Sequence, residues 1–178
     1  MRDFLIDTNI WEFWFNQKSE PQHSNVLKRV HELERACEGR QATFRVWISA
    51  ITWGEIECGY QIQKDEDQSV ELRFRQFIRD ISPIVLIVDR HVGREYGRIK
   101  ARCFEQFGPR EKRGKKLRLS QLTDPISGEE LGVDENDLWM VAQAVTRNMT
   151  LVSNDKLKRI RGVVDDLHIE NWAAESIS

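Results

Sequence analysis

The sequence predicts an α/β fold in which a central parallel sheet is covered by helices on both faces. Three observations predict it. Short apolar runs alternate with segments whose apolar residues recur at three and four spacing, the pattern of strand-helix-strand units. The run Ile84 to Val88 is continuous and largely β-branched, as in a strand buried on both faces. Asp7 and Asp155 each follow an apolar run, which suits strands whose carboxyl ends open on a ligand crevice. The 178 residues fit a single domain over 1–178, given about 150 residues per domain.

The elements follow in order. Phe4, Leu5 and Ile6 form a strand that stops at Asp7, and Thr8 and Asn9 supply capping side chains for a helix carrying Ile10, Trp11 and Trp14. Pro21 and Ser24 open a second helix, with Val26, Leu27, Val30, Leu33 and Cys37 on its apolar face and Gly39 at its end. Phe44, Val46 and Ile48 alternate as a strand. Ser49 caps a helix bearing Ile51, Glu55, Cys58 and Ile62, and Gln68 to Ile78 forms another with Leu72 and Phe77 inward. Pro83 ends it before the strand Ile84 to Val88. Asp89 to Phe107 is helical, and residues 108–132, rich in Gly and Pro, read as a loop insertion. A helix from about Glu135 to Arg147, a strand at Thr150 to Val152, a short helix over Asp155 to Ile160 and an extended segment at His168 to Ile169 complete the chain.

Charge and composition exclude several functions. The 27 Lys and Arg against 29 Asp and Glu leave a net charge of -2, which excludes a globally basic nucleic-acid binder. With 40% hydrophobic residues the chain is globular rather than disordered. No apolar run approaches the roughly 18 residues needed to span a bilayer, and the N-terminus lacks the apolar stretch of a secretory signal, so a cytoplasmic protein with no membrane association is expected. Cys37, Cys58 and Cys103 are widely spaced and the four histidines show no metal-ligand spacing, which leaves disulfide and zinc readings without support.

The chemistry lies in acids. Asp7 and Asp155 emerge at the carboxyl edge of their strands, while Glu55 and Asp137 stand near the starts of helices that point into the same cleft. Singly, each is more often a helix cap, a turn residue or a solvated helix position than a catalytic group. Together, four carboxylates in one cleft repel one another unless cations sit between them, and an all-oxygen set without His or Cys suits Mg2+ or Mn2+. Metal-assisted phosphodiester hydrolysis is the matching chemistry.

Four strings carry a resemblance: Phe4 to Ile10 (FLIDTNI), Ser49 to Ile56 (SAITWGEI) with Gly59, Asp137 to Ala144 (DLWMVAQA), and Leu151 to Asp155 (LVSND). In order, they resemble the four blocks of PIN-domain ribonucleases, and most of all the VapC toxins of toxin-antitoxin pairs. The resemblance implies a Rossmann-like nuclease fold, Mg2+ or Mn2+, cleavage of structured RNA such as tRNA or rRNA, a homodimer, and silencing by a VapB-type antitoxin. It places the catalytic, metal-binding acids on Asp7, Glu55, Asp137 and Asp155, with Asn9 and Ser153 hydrogen-bonded behind them. The segment Ile169 to Trp172 resembles the family's final strand. The chain departs from the pattern in its length, with extra residues near 16–41 and at 108–132, and in Trp139 and Gln143.

Inside the insertion, Arg110, Lys112, Arg113, Lys115, Lys116 and Arg118 face one acid, Glu111, whereas Glu129 to Asp137 holds five acids and no base. The basic run is a candidate RNA-phosphate contact as well as a solvated loop. The six tryptophans sit at amphipathic positions that favour core or dimer packing over base stacking. Two rival functions remain. A non-catalytic PIN-like RNA-binding or assembly module would keep the fold without the four acids. A phosphatase of the haloacid-dehalogenase type would carry a second Asp two residues after the first, where this chain has Asn9.

Overall fold

The computed structural model describes residues 1–16, 18–38, 43–62, 68–108, 122 and 132–174. Five strands, β1 (Arg2–Ile6), β2 (Phe44–Ser49), β3 (Val85–Leu86), β4 (Thr150–Val152) and β5 (His168–Glu170), form one sheet in the order β3-β2-β1-β4-β5. Every pairing is parallel. Between the strands run α1 (Thr8–Asn16) and α2 (Pro21–Cys37), α3 (Ala50–Ile62) and α4 (Gln68–Ile81), α5 (Arg90–Phe107) and α6 (Glu135–Thr146), and α7 (Lys158–Arg161).

Residues of β1 alternate between two cores, as a pleated strand requires. Phe4 and Ile6 pack with α1 to α4, while Leu5 packs with α5 and α6; all three are fully buried. In β4, Leu151 stands beside Leu5 and faces the second core, and Val152 stands beside Ile6 and faces the first. The sheet is therefore covered on both sides. Burial of each such side chain contributes about 1.5 to 3 kcal/mol.

Local chemistry sets the helix starts. Pro21 occupies the first turn of α2, where its missing N–H costs nothing. Asp89 caps α5, its carboxylate accepting from the His91 and Val92 amides at 2.8 and 3.0 Å. The Ser49 hydroxyl accepts from the Ile51 amide at 3.0 Å at the start of α3. The α1 cap differs from expectation: Asp7 itself receives the Ile10 and Trp11 amides on its carbonyl, which leaves the Thr8 and Asn9 side chains free to turn elsewhere.

Three further expectations are corrected. Ile84 to Val88 is no strand buried on both faces; only Val85 and Leu86 pair, at the sheet edge, and Ile84 and Ile87 are 59% and 66% exposed. A continuous apolar run reports hydrophobicity but not whether a neighbour lies on each side. Leu72 is exposed, and Phe74 and Ile78 form the buried face of α4. The short helix begins at Lys158 rather than Asp155. The expected end of α2 at Gly39 and most of the 108–132 insertion lie outside the described residues. No described helix is long and apolar enough to cross a membrane.

Candidate active site

Connections run from β1 outward to β2 and β3 on one side and to β4 and β5 on the other, so the order reverses between β1 and β4. In a sheet of this kind the crevice forms outside the carboxyl ends of the strands at that reversal. Asp7 follows β1 directly and Asp155 follows β4 by three residues. One amide joins them: Asn9 Nδ2 donates to Asp7 Oδ2 at 3.2 Å and to Asp155 Oδ2 at 3.0 Å.

Local donors orient the Asp7 carboxylate and leave it lone-pair capacity to spare. Its Oδ1 accepts from the Thr8 amide at 2.8 Å, and its Oδ2 accepts from the Ser153 hydroxyl at 2.7 Å. Ser153 is buried and its hydroxyl also accepts from the Asp155 amide at 3.0 Å, which fixes the turn after β4. Asn9 Oδ1 accepts from the Asn154 amide at 3.2 Å, tying the start of α1 to that same turn.

Glu55 arrives from the second turn of α3. The Thr8 hydroxyl donates to its Oε2, and Asn136 Nδ2 donates to its Oε1 at 2.7 Å. Asn136 lies in the first turn of α6, next to Asp137. Asp134 caps that helix by accepting from the Asn136 amide at 2.9 Å, and the Asp137 side chain accepts from the Asp134 amide at 3.4 Å. Asp137 thus closes a capping box. It also lines, with Asp155, a cleft of about 350 Å³ bounded by Gly132, Val133 and residues 156–160.

The charges of these acids act on one another at this edge. Burial raises the Asp7 carboxyl above its ordinary value; the Ser153 and Thr8 hydrogen bonds oppose this, and the charges of Glu55 and Asp155 add to it. Asp137 is pushed up to about 6, first by burial, with the Asp134 amide opposing and Asp7 and Asp155 repelling. Among the described residues, no ion pair includes Asp7, Glu55, Asp137 or Asp155. The four carboxylates stand at one edge of the sheet, and no ion pair neutralises any of them there.

All six residues expected at the site, Asp7, Glu55, Asp137, Asp155, Asn9 and Ser153, are brought to this edge. The basic run Arg110 to Arg118 lies outside the described residues. Sequence reasoning passed over Thr8, Asn136 and Glu12. Glu12 lies one helical turn after Thr8, and its carboxyl is raised by burial, with Lys18 opposing and Asp7 and Glu55 adding. Its i, i+4 spacing from Thr8 is the signal that could have found it.

The donor set fits a hard divalent cation: four carboxylates, amide and hydroxyl oxygens at hand, and no sulfur or imidazole. Among the described residues, no three acidic, His or Cys side chains stand in a finished metal-holding array. The carboxylates are instead spaced by Thr8, Asn9 and Asn136, as uncompensated negative groups must be.

Comparison with known proteins bears on this arrangement. A family model described as PIN domain matches residues 4–162. No curated protein matches the chain in sequence. Among solved structures, the chain is similar to VapBC2 from Rickettsia felis bound to a promoter DNA fragment, with 18% identity and a TM-score of 0.62 over 96% of this chain and 98% of that one. It is similar to DNA-bound VapBC from Salmonella typhimurium, with 20% identity and a TM-score of 0.63 over 97% and 99%. It is also similar to VapBC-5 from Mycobacterium tuberculosis, of the VapBC family of toxin-antitoxin systems, at 17% identity and a TM-score of 0.54 over 96% and 99%. At these identities the likeness is one of fold.

Proposed function

The chain belongs to the PIN domain family, and from that premise we propose that it is a Mg2+- or Mn2+-dependent endoribonuclease, the toxin of a VapBC-type toxin-antitoxin pair. One observation carries the catalytic part of this reading: four carboxylates from four separate segments stand at the sheet's reversal point, linked through Thr8, Asn9 and Asn136, and none of them has an ion-pair partner among the described residues. Asp7, Glu55, Asp137 and Asp155 would hold the metal. When bound, it polarises the phosphodiester and lowers the pKa of an attacking water.

The chain's own groups do the positioning. Asn9 holds the Asp7 and Asp155 carboxylates at one spacing, and Ser153 fixes the second Asp7 oxygen. Thr8 and Asn136 orient Glu55 from opposite sides. Burial and the neighbouring acids push the Asp137 carboxyl up to about 6, so it is the acid that gains most from a cation that would hold it ionised. Preorganisation of this kind is what metal-assisted hydrolysis asks of a protein.

Partners follow from the same reading. The solved relatives named above are VapBC complexes, which supports a VapB-type antitoxin as partner, and the family resemblance adds a homodimer and an RNA substrate such as tRNA or rRNA. We place the protein in the cytoplasm, as one nuclease domain over 1–178 with an insertion at 108–132 whose basic run contacts RNA. The four acids speak against a non-catalytic module, and Asn9, which bridges two carboxylates, is unsuited to the acid a haloacid-dehalogenase-type phosphatase needs there.

The test is cleavage of labelled RNA by wild type and by Asp155→Asn, each with Mn2+ and with a chelator. Cleavage by wild type with Mn2+ alone is expected, with a loss on the order of a hundredfold or more in the variant. Equal cleavage by both proteins would refute the reading.

A further inference from the structure

We propose that Lys156 and Lys158 form a phosphate-binding ridge that carries the RNA backbone next to the scissile bond, in the cleft that Asp137 and Asp155 also line. The inference rests on the nuclease reading above and names how that site holds its substrate.

The cleft is lined by groups of opposite charge. Asp137 and Asp155 stand in the same lining as Lys156, Lys158 and Arg159. Both lysines are exposed, and among the described residues neither makes an ion pair, although Asp155 is the immediate neighbour of Lys156. Cations that stand beside acids without neutralising them are available to an anion that enters between.

The backbone holds them in this pose against its own preference. Leu157, between the two lysines, has φ 43° and ψ 27°, in the left-handed region that residues with a Cβ rarely adopt. Its side chain packs against the core that contains Ile160 and Val163. That anchor points inward while its neighbours stay at the cleft rim. An outlier beside the candidate catalytic acids fits a segment shaped for a ligand. A polyanion is the ligand that such a cleft would take, since its scissile phosphate goes to the acids' metal and its neighbouring phosphates need countercharge.

Arg161 supplies the control. It lies on α7 and is exposed, yet it does not line the cleft. Binding of a fluorescein-labelled single-stranded oligoribonucleotide is measured against salt in the full chain carrying the cleavage-deficient Asp7→Asn change. Lys156→Ala with Lys158→Ala should weaken binding about tenfold and flatten the slope of log affinity against log salt by about 1.4, the value for two lost contacts. Lys156→Arg with Lys158→Arg should restore the slope, and Arg161→Ala should leave it unchanged. In the otherwise wild-type chain, the alanine pair should leave the Mn2+-induced rise in melting temperature intact, which shows that the fold and the acids are undisturbed. A slope unchanged by the alanine pair, or reduced as much by Arg161→Ala, overturns the ridge while leaving the nuclease reading in place. Absence of RNA cleavage by wild type with Mn2+ overturns the nuclease reading and the ridge with it.

Discussion

Asn9 is the residue on which the geometry of the site turns, because one amide fixes the distance between the acids that end β1 and β4. Asn9→Ala should leave the fold intact and reduce metal-dependent cleavage on the order of ten- to a hundredfold, the usual cost of losing a group that orients metal ligands. Activity at the wild-type level would show that the bridge is incidental. Asp137 makes a prediction about pH. Its folded-state carboxyl stands at about 6 against an ordinary 3.8, so ionising it works against folding. The penalty is absent below about pH 3.8, grows between the two values and is complete above pH 6. Metal-free Asp137→Asn, which keeps an acceptor for the Asp134 amide, should therefore exceed wild type at pH 7.5 by up to about 3 kcal/mol. In melting temperature that is up to roughly 6 to 12 °C, with no gain at pH 4. Equal melting at both pH values would contradict the shared-cleft account. At this scale the four acids were legible because each follows an apolar run or opens a helix. Thr8 and Asn136 were not, since a hydroxyl or amide that orients a carboxylate leaves no periodic trace in sequence. Lys156 and Lys158 were hidden by the denser basic run at Arg110 to Arg118.

The first turn of α6 presents both Asn136 and Asp137, and α5 holds it. Lys100 Nζ donates to Glu135 Oε1 at 2.5 Å and to the Tyr96 hydroxyl at 2.7 Å, and that hydroxyl donates to Glu135 in turn. Tyr96 also stacks on Trp139 with ring centroids 3.7 Å apart. The charged pair is partly exposed, with Lys100 and Glu135 side chains 29% and 46% accessible, so it contributes little by itself. The ring stack and the buried contacts beneath it carry more. Tyr96→Phe should cost about 1 kcal/mol or less, and Trp139→Ala about 3 to 5 kcal/mol at most, as read by urea unfolding. The reverse order would mean that the hydrogen-bonded trio, and not packing, secures α6. Element boundaries were largely readable: Pro21, Ser49 and Asp89 mark helix starts where expected. The edge strand β3 was not, because Ile84 to Val88 has the composition of a central strand while its position is set by the order of the whole sheet.

The whole molecule places its chemistry where chain topology demands it. Strand order alone brings the ends of β1 and β4 side by side, and the helices that begin at this edge deliver Glu55 and Asp137. Sequence could show that acids end strands but not which strands are neighbours; parallel pairing of β1 with both β2 and β4 supplies that. A net charge of -2 means that, on the proposed nuclease reading, any hold on RNA would be local and so sensitive to salt. The central claim is that the four carboxylates form one divalent-cation site. Calorimetric titration of Mn2+ into the wild-type protein and into Asp7→Asn tests it most directly. Saturable binding by wild type, at least about tenfold weaker in the variant, is the predicted result. Identical isotherms, or no binding by wild type up to about 10 mM Mn2+, well above the weakest carboxylate sites, would contradict it.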